Sequence, residues 1–172
     1  MPPSFRTATT DDLDPIVALV TSAYRGEEST AGWTTEHHLL HGQRTDPDMV
    51  SAAIVDPDGR VELAEVDGEL LGCLQLTWSG ETAHFGMFAV RPTAQAAGIG
   101  SALLTHAEAI ARSRGCTSMD LEVIAQREQL IAYYRRRGYE PTGETAPFPY
   151  GDERFGIPQR DDLHFVVLRR RL

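Results

Sequence analysis

The chain has 172 residues, 41% of them apolar and 24% charged, which excludes a wholly disordered polymer and supplies enough material for one sizeable core. Its formal net charge is -9, and an acidic surface repels nucleic-acid phosphates and anionic membranes, so neither is expected as a partner. Two cysteines, Cys73 and Cys116, are too few for a disulfide framework or a cysteine-rich metal site, and no run of ~18 apolar residues or signal-like N-terminus occurs; the expectation is a cytoplasmic protein with a single domain over residues 1–172 and no metal.

Phe5 to Thr9 alternates like a short strand. Thr10 and Asp11 offer capping oxygens to a helix running to about Arg25, with Leu13, Ile16, Val17, Leu19, Val20 and Ala23 on its apolar face. Trp33 to Gly42 reads as a short helix capped by Thr34 or Thr35. Asp46-Pro47 opens another, ending near Ile54, because proline suits the first helical position. Val61–Val66 and Glu69–Trp78 read as strands joined by the hairpin dipeptide Asp67-Gly68. Ala83–Val90 is a third strand, closed by Pro92, which cannot donate to a ladder.

Gly98 opens the strongest helix in the chain. Ile99, Ala102, Leu103, Ala107, Ile110 and Ala111 form one stripe, and Gly115 stands at its C-terminal end. Thr117–Val123 is a strand, Gln126–Arg137 a helix ended by Gly138, and Tyr139–Glu144 a strand. A Pro/Gly-rich segment, Ala146–Asp161, leads to a last strand at Leu163–Leu168. The order is mixed α/β, with antiparallel hairpins first and a strand–helix–strand–helix–strand unit later.

The strand–loop–helix junction at Gly98 and Gly100 carries the most chemistry. The first turn of a helix has unsatisfied N–H groups and a positive dipole end, and together these bind phosphate. The first turn here has no acidic side chain to repel an anion. A plain connection with glycine for packing is one reading. A dinucleotide site would need a third glycine where Leu103 stands, although Asp120 lies about as far on as that site's acidic residue would. A P-loop would need a lysine, and none follows.

The stretch Val90-Arg91-Pro92-Thr93-Ala94-Gln95-Ala96-Ala97-Gly98-Ile99-Gly100 resembles motif A of the GNAT superfamily of N-acetyltransferases, Gln/Arg-x-x-Gly-x-Gly/Ala. Leu130-Ile131-Ala132-Tyr133-Tyr134-Arg135-Arg136-Arg137-Gly138-Tyr139 resembles its motif B, in which a helix carries a tyrosine four residues before a glycine and an aromatic. The resemblance implies an α/β GNAT fold: a mostly antiparallel twisted sheet of about six to seven strands, splayed at one parallel pair and flanked by about four to five helices. It implies acetyl-CoA as cosubstrate and transfer of the acetyl group to a primary amine of a small molecule or peptide, by direct attack in a ternary complex. A non-catalytic acyl-CoA-binding regulator is the alternative, and a homodimer is expected by analogy.

Residue by residue, the resemblance implies that free backbone groups of Phe88, Ala89 and Val90 bind the pantetheine arm. The amides of Gln95, Ala96, Ala97, Gly98, Ile99, Gly100 and Ser101 would hold the pyrophosphate. Many relatives place a basic side chain in this loop; here Arg91 is the candidate substitute. Tyr134 would protonate the departing thiolate; as a bare sequence feature it reads equally as an aromatic anchor, the reading Tyr133 takes. Arg127 stands where the family often has asparagine. The amine must lose a proton, and His84 and Glu122 are the candidate bases, each of which could instead simply face solvent. Neither cysteine has a histidine nearby in sequence, so a covalent acetyl-enzyme is disfavoured.

On the acceptor side, residues 24–46 and 147–158 are rich in polar and aromatic side chains. Tyr24, Trp33, Glu36, Arg44, Tyr150 and Arg154 are the candidate acceptor contacts. Glu27, Glu28, Glu36, Asp152 and Glu153 would suit a cation, and Arg25, Arg44 and Arg154 a carboxylate; both signs together would fit an amino acid or similar zwitterion.

Overall fold

The structure is a computed structural model that describes residues 1–172. In chain order it contains β1 (Ser4–Thr7), α1 (Leu13–Tyr24), β2 (Leu40–His41), α2 (Pro47–Val55), β3 (Gly59–Val66), β4 (Glu69–Ser79), β5 (Thr82–Val90), α3 (Ile99–Ser113), β6 (Ser118–Ile124), α4 (Glu128–Arg135), β7 (Glu140–Pro147), β8 (Ile157–Pro158) and β9 (His164–Arg171). Seven strands form one sheet in the order β1-β3-β4-β5-β6-β9-β7, and β2 pairs with β8 apart from it. Every pair is antiparallel except β5–β6. No helix is long and apolar enough to cross a membrane.

The local chemistry explains most element ends. Asp46 accepts from the Met49 amide at 2.8 Å and caps α2, with Pro47 in the first turn. Ahead of α1 the cap is Thr9 rather than Thr10 or Asp11: Asp12 accepts from the Thr9 amide at 2.8 Å in a capping box, and a short 3₁₀ turn, Thr10–Asp12, precedes the helix. Asp67 and Gly68 both have positive φ, 52° and 79°, as the tight β3–β4 hairpin requires. The expected helix from Trp33 to Gly42 does not form. The Thr35 hydroxyl bonds Ser29 and the His37 amide, while the Glu36 amide donates to the Tyr24 carbonyl. One turn at Glu36–Leu40 then leaves for the β2–β8 pair.

Two cores lie on opposite faces of the sheet. On one, α1 and α2 pack Ile16, Leu19, Val20, Ala23, Val50 and Ala53 against Leu63, Cys73, Met87 and Ala89. On the other, α3 and α4 pack Leu103, Leu104, Ala107, Leu130 and Tyr134 against Leu74, Leu76, Ala83 and Phe85. A third, small cluster of Leu39, Leu40, Ile124, Phe148 and Leu163 lies beneath residues 148–163. Both cysteines are buried free thiols.

Strand β5 serves both main cores. Regular alternation would put Ala83, Phe85, Met87 and Ala89 on one face. Instead the β4–β5 register shifts so that Leu74 alone opposes Met87 and Phe88: Cys73 faces Ala89, and Gln75 faces Gly86. This β-bulge, with Met87 at φ 46°, sends Ala83 and Phe85 to the α3 face and Met87 and Ala89 to the α1 face. Beyond His84 and Asp120 the β5–β6 pairing stops. The sheet therefore opens where the bulge turns β5 over.

The far end of α4 is fixed by a polar hub. Buried Glu108 of α3 accepts from the Tyr139 hydroxyl at 2.8 Å and from Arg170 at 2.9 Å, and the Tyr139 ring meets Tyr134 edge-on at 6.0 Å. Tyr139→Phe removes one hydrogen bond while Arg170 still neutralises Glu108. It is expected to lower the unfolding free energy by about 1 kcal/mol in urea denaturation.

Candidate active site

The open edge between β5 and β6 divides two cavities. The first, about 530 Å³, lies on the α3 side and is lined by Phe88, Val90, Gln95, Ala96, Gly98, Gly100 and Ser101, by Gln129, Leu130, Ala132, Tyr133, Tyr134, Arg136 and Arg137 of α4 and the residues just after it, and by Tyr24, Trp33 and Thr34. The second, about 670 Å³, lies over the other sheet face. Four residues line both: Tyr24, Phe88, Leu130 and Tyr134.

In the first cavity the loop before α3 presents bare amides. Ala96, Gly98, Ile99, Gly100 and Ser101 donate to no protein acceptor, whereas Gln95 and Ala97 donate into local turns, to the Pro92 and Ala94 carbonyls. The expected row of amides is thus narrower by those two. Gly98 caps α3 at φ +82°, a left-handed conformation that needs glycine, and a Cβ there would meet nothing within 4 Å. At Gly100 a Cβ would press on Val90 at 3.3 Å and Phe88 at 3.4 Å. No acidic residue lies in the first turn, so the helix end offers an anion N–H groups and a positive dipole together. Ala89 and Ile99 turn their side chains into the two cores.

The loop is clasped by Gln95. Its side-chain amide donates to the Thr34 hydroxyl at 2.7 Å and the Val90 carbonyl at 3.0 Å, and accepts from the Trp33 amide at 2.8 Å. The Val90 carbonyl is therefore not free, and the Phe88 carbonyl likewise accepts from the Tyr24 hydroxyl. Both differ from the expectation of unoccupied backbone groups, although a carbonyl keeps a second lone pair. Arg91 turns away, donating to the Leu70 carbonyl at 3.1 Å. The basic groups at this cavity are Arg136 and Arg137, which sequence reasoning missed, and Arg137 stacks 3.7 Å from the Tyr133 ring centroid. Tyr133 packs, partly buried, against the α3–α4 core and, with Trp33 5.1 Å away, also walls the cavity.

Tyr134 stands between the cavities. Its residue is 3% exposed, its hydroxyl has no protein partner, and burial raises its pKa well above the ordinary tyrosine value, with Tyr24 nearby adding to the effect. Its phenol is therefore protonated at neutral pH. Burial also raises Tyr24, to about 12.

The floor of the second cavity is one sheet face: Gln75 and Thr77 of β4, His84 and Gly86 of β5, Asp120 and Glu122 of β6, Val167 and Arg169 of β9. Asp120 is held by Arg169 through two contacts of 2.7 Å. His84 and Glu122 are exposed into this cavity and carry no side-chain partner. On the opposite wall, buried Glu36 is gripped by Arg25 and by Arg127, the latter at 3.0 Å. Burial alone would raise the Glu36 carboxyl, but Arg127, Arg25 and Arg44 together hold it below its ordinary value. Arg127 also donates to the Thr34 carbonyl, so at the position where asparagine was expected stands a tie between α4 and the N-terminal segment.

Of the expected acceptor contacts, Tyr24, Glu36 and Arg44 line the second cavity. Trp33 lines the first instead. Tyr150 lines neither: its hydroxyl donates to the Arg160 carbonyl and accepts from the Leu163 amide, bracing its own loop. Arg154 is exposed and spends its guanidinium on Asp152 at 2.7 Å. No group of three or more His, Cys, Asp or Glu side chains is placed to hold a metal ion.

Residues 18–139 match the model of the acetyltransferase (GNAT) family. A mycothiol acetyltransferase of Clavibacter sepedonicus is 31% identical over 134 residues; the match takes in 76% of this chain and only 40% of that protein. An aminoalkylphosphonate N-acetyltransferase of Salmonella typhimurium is 28% identical over 144 residues, covering 78% of this chain and 83% of that protein. The PaiA N-acetyltransferase of Thermoplasma acidophilum, solved in complex with coenzyme A, superposes over 100% of both chains with a TM-score of 0.67 at 17% identity, a likeness of fold.

Gln95 holds the amide loop to two other segments at once. Gln95→Ala is expected to weaken coenzyme A binding about tenfold, read by isothermal titration, with the fold retained by circular dichroism.

Proposed function

The chain belongs to the acetyltransferase (GNAT) family, whose cosubstrate is acetyl-CoA, and from that membership and the junction at Tyr134 we propose that it moves an acetyl group to a primary amine of a small molecule or peptide. The observation that carries the proposal is that two cavities on opposite sheet faces meet only at Tyr24, Phe88, Leu130 and Tyr134, with the Tyr134 hydroxyl unpartnered between them. A diphosphate fits the bare amides of residues 96 and 98–101, with Arg136 and Arg137 on the facing wall. Residues 1–172 act as one catalytic unit, since both cavities draw on segments from Tyr24 to Arg169. A cytoplasmic location is consistent with use of this cosubstrate.

Transfer is direct, in a ternary complex. The amine nitrogen attacks the thioester carbonyl, forming the C–N bond as the C–S bond breaks. The departing sulfur takes the Tyr134 proton, and the nitrogen gives its proton to a base on the sheet floor, Glu122 or His84. Cys73 and Cys116 are buried outside both cavities, and burial pushes the Cys73 thiol up to about 12, so neither offers a nucleophile for an acetyl-enzyme.

Tyr134→Phe is expected to lower kcat about a hundredfold while the coenzyme A dissociation constant stays within about twofold, measured by thiol release and titration calorimetry. Undiminished turnover would remove Tyr134 from the mechanism. His84→Gln and Glu122→Gln separate the two bases: the substitution at the working base lowers kcat/KM about a hundredfold, and the other leaves most of it.

A further inference from the structure

One end of the second cavity holds more positive charge than the protein neutralises. Arg25 and Arg127 both close on Glu36. Arg44 lines the same wall, 5.4 Å from the Tyr24 ring centroid, and forms no hydrogen bond or ion pair with any protein group. Three guanidiniums thus share one carboxylate. The Nε of Arg25, in a residue 3% exposed, also lacks an acceptor. Excess charge away from water is costly unless an anion joins it.

The other end has the opposite balance. Glu122 has no partner, Glu144 has no cation within ion-pair distance, and Asp120 is already neutralised by Arg169. Much of the remaining lining is apolar and includes Phe85, Phe148, Phe155 and Phe165. The cavity therefore combines a cationic cluster at Arg25, Arg44 and Arg127 and unpaired carboxylates at Glu122 and Glu144 with an apolar lining.

We propose that Arg44 recognises an oxyanion on the acceptor, so that the acceptor is a small amine carrying a carboxylate or phosphonate together with an apolar body. This rests on the acetyl-transfer reading of the same cavity. The planar fork of Arg44 suits two oxygens at once, and the Arg25–Glu36–Arg127 cluster holds the positive potential behind it. Anchoring the anion there directs the amine toward Glu122, His84 and the Tyr134 junction.

The test uses the full chain loaded with coenzyme A and four probes: L-phenylalanine, its phosphonate analogue, L-phenylalaninamide and phenethylamine. L-phenylalanine, its phosphonate analogue or both are expected to raise Tm by about 3 °C at about ten times the Kd, and the two lacking an oxyanion to leave it unchanged. Which of the two anionic probes is effective identifies the oxyanion. Arg44→Gln should weaken the effective probe at least about tenfold, and Arg44→Lys, which keeps the charge without the fork, should recover part of that loss. The idea is overturned if the amide and phenethylamine stabilise as well as the anionic probes, if none of the four shifts Tm, or if Arg44→Gln binds them unchanged. Thiol release from acetyl-CoA is followed in parallel. An oxyanion-dependent, Arg44-dependent shift with no thiol release from any probe would sink the transfer reading while keeping the anion site.

Discussion

The site depends on a single irregularity of backbone. In β5, two residues, Met87 and Phe88, oppose one, Leu74, and the strand turns over at that point. Before the bulge His84 and Gly86 face the second cavity; after it Phe88 and Val90 face the cavity beside the amide loop. One strand thereby reaches two chambers on opposite faces of a sheet, which an unbroken strand with its period of two could not do at these positions. The parallel pairing with β6 stops after His84 and Asp120, just ahead of the bulge, and leaves the two strands unpaired where the chambers meet. Met87 adopts φ 46°, an uncommon conformation for a side chain that is not glycine, and the surroundings hold it there. The Tyr24 hydroxyl bonds the Phe88 carbonyl, and the Cys73 thiol lies 3.5 Å from the Met87 carbonyl.

Around that opening, a few polar clasps from distant parts of the chain fix the walls. Gln95 joins the amide loop to Trp33 and Thr34. Arg127 joins the start of α4 to the same segment through Glu36 and Thr34. The segment between α1 and α2 has little regular structure of its own, so these contacts, and the β2–β8 pair, are what give it shape. The amide loop is thus set by protein contacts before any ligand arrives, which spares binding part of the ordering cost.

Much of this was legible from residues alone because the signals were local. Asp67-Gly68, Asp46-Pro47, Gly98 and Gly115 mark turns and helix ends whose chemistry acts within a few residues, and the structure has each in that role. The family resemblance rested on motifs equally local, and the sheet with its one parallel pair agrees with it. The misses were long-range. Trp33–Gly42 has caps and apolar spacing for a helix, but Glu36 is drawn to two arginines and Leu40 to β8, and tertiary contacts override propensity. The bulge left no mark, because Ala83, Phe85, Met87 and Ala89 alternate as a regular strand would. Arg136 and Arg137 carried no distinguishing signal in the sequence; it is the packing of the α4 end that brings them into the lining of the first cavity. Tyr150 and Arg154 were marked for their loop's composition, yet their polar atoms are spent within that loop.

The shared lining of the two cavities bears on which acyl groups could be carried. The four residues lining both cavities, Tyr24, Phe88, Leu130 and Tyr134, include three aromatics, and beyond them lies the second cavity, of about 670 Å³. With the acceptor in that cavity, as proposed, each further methylene of the acyl chain would project into space the two must share, so a longer chain would be opposed by its co-substrate rather than by a wall. Selectivity for short chains would then sharpen as acceptors grow bulkier, and a small acceptor would leave the discrimination loose.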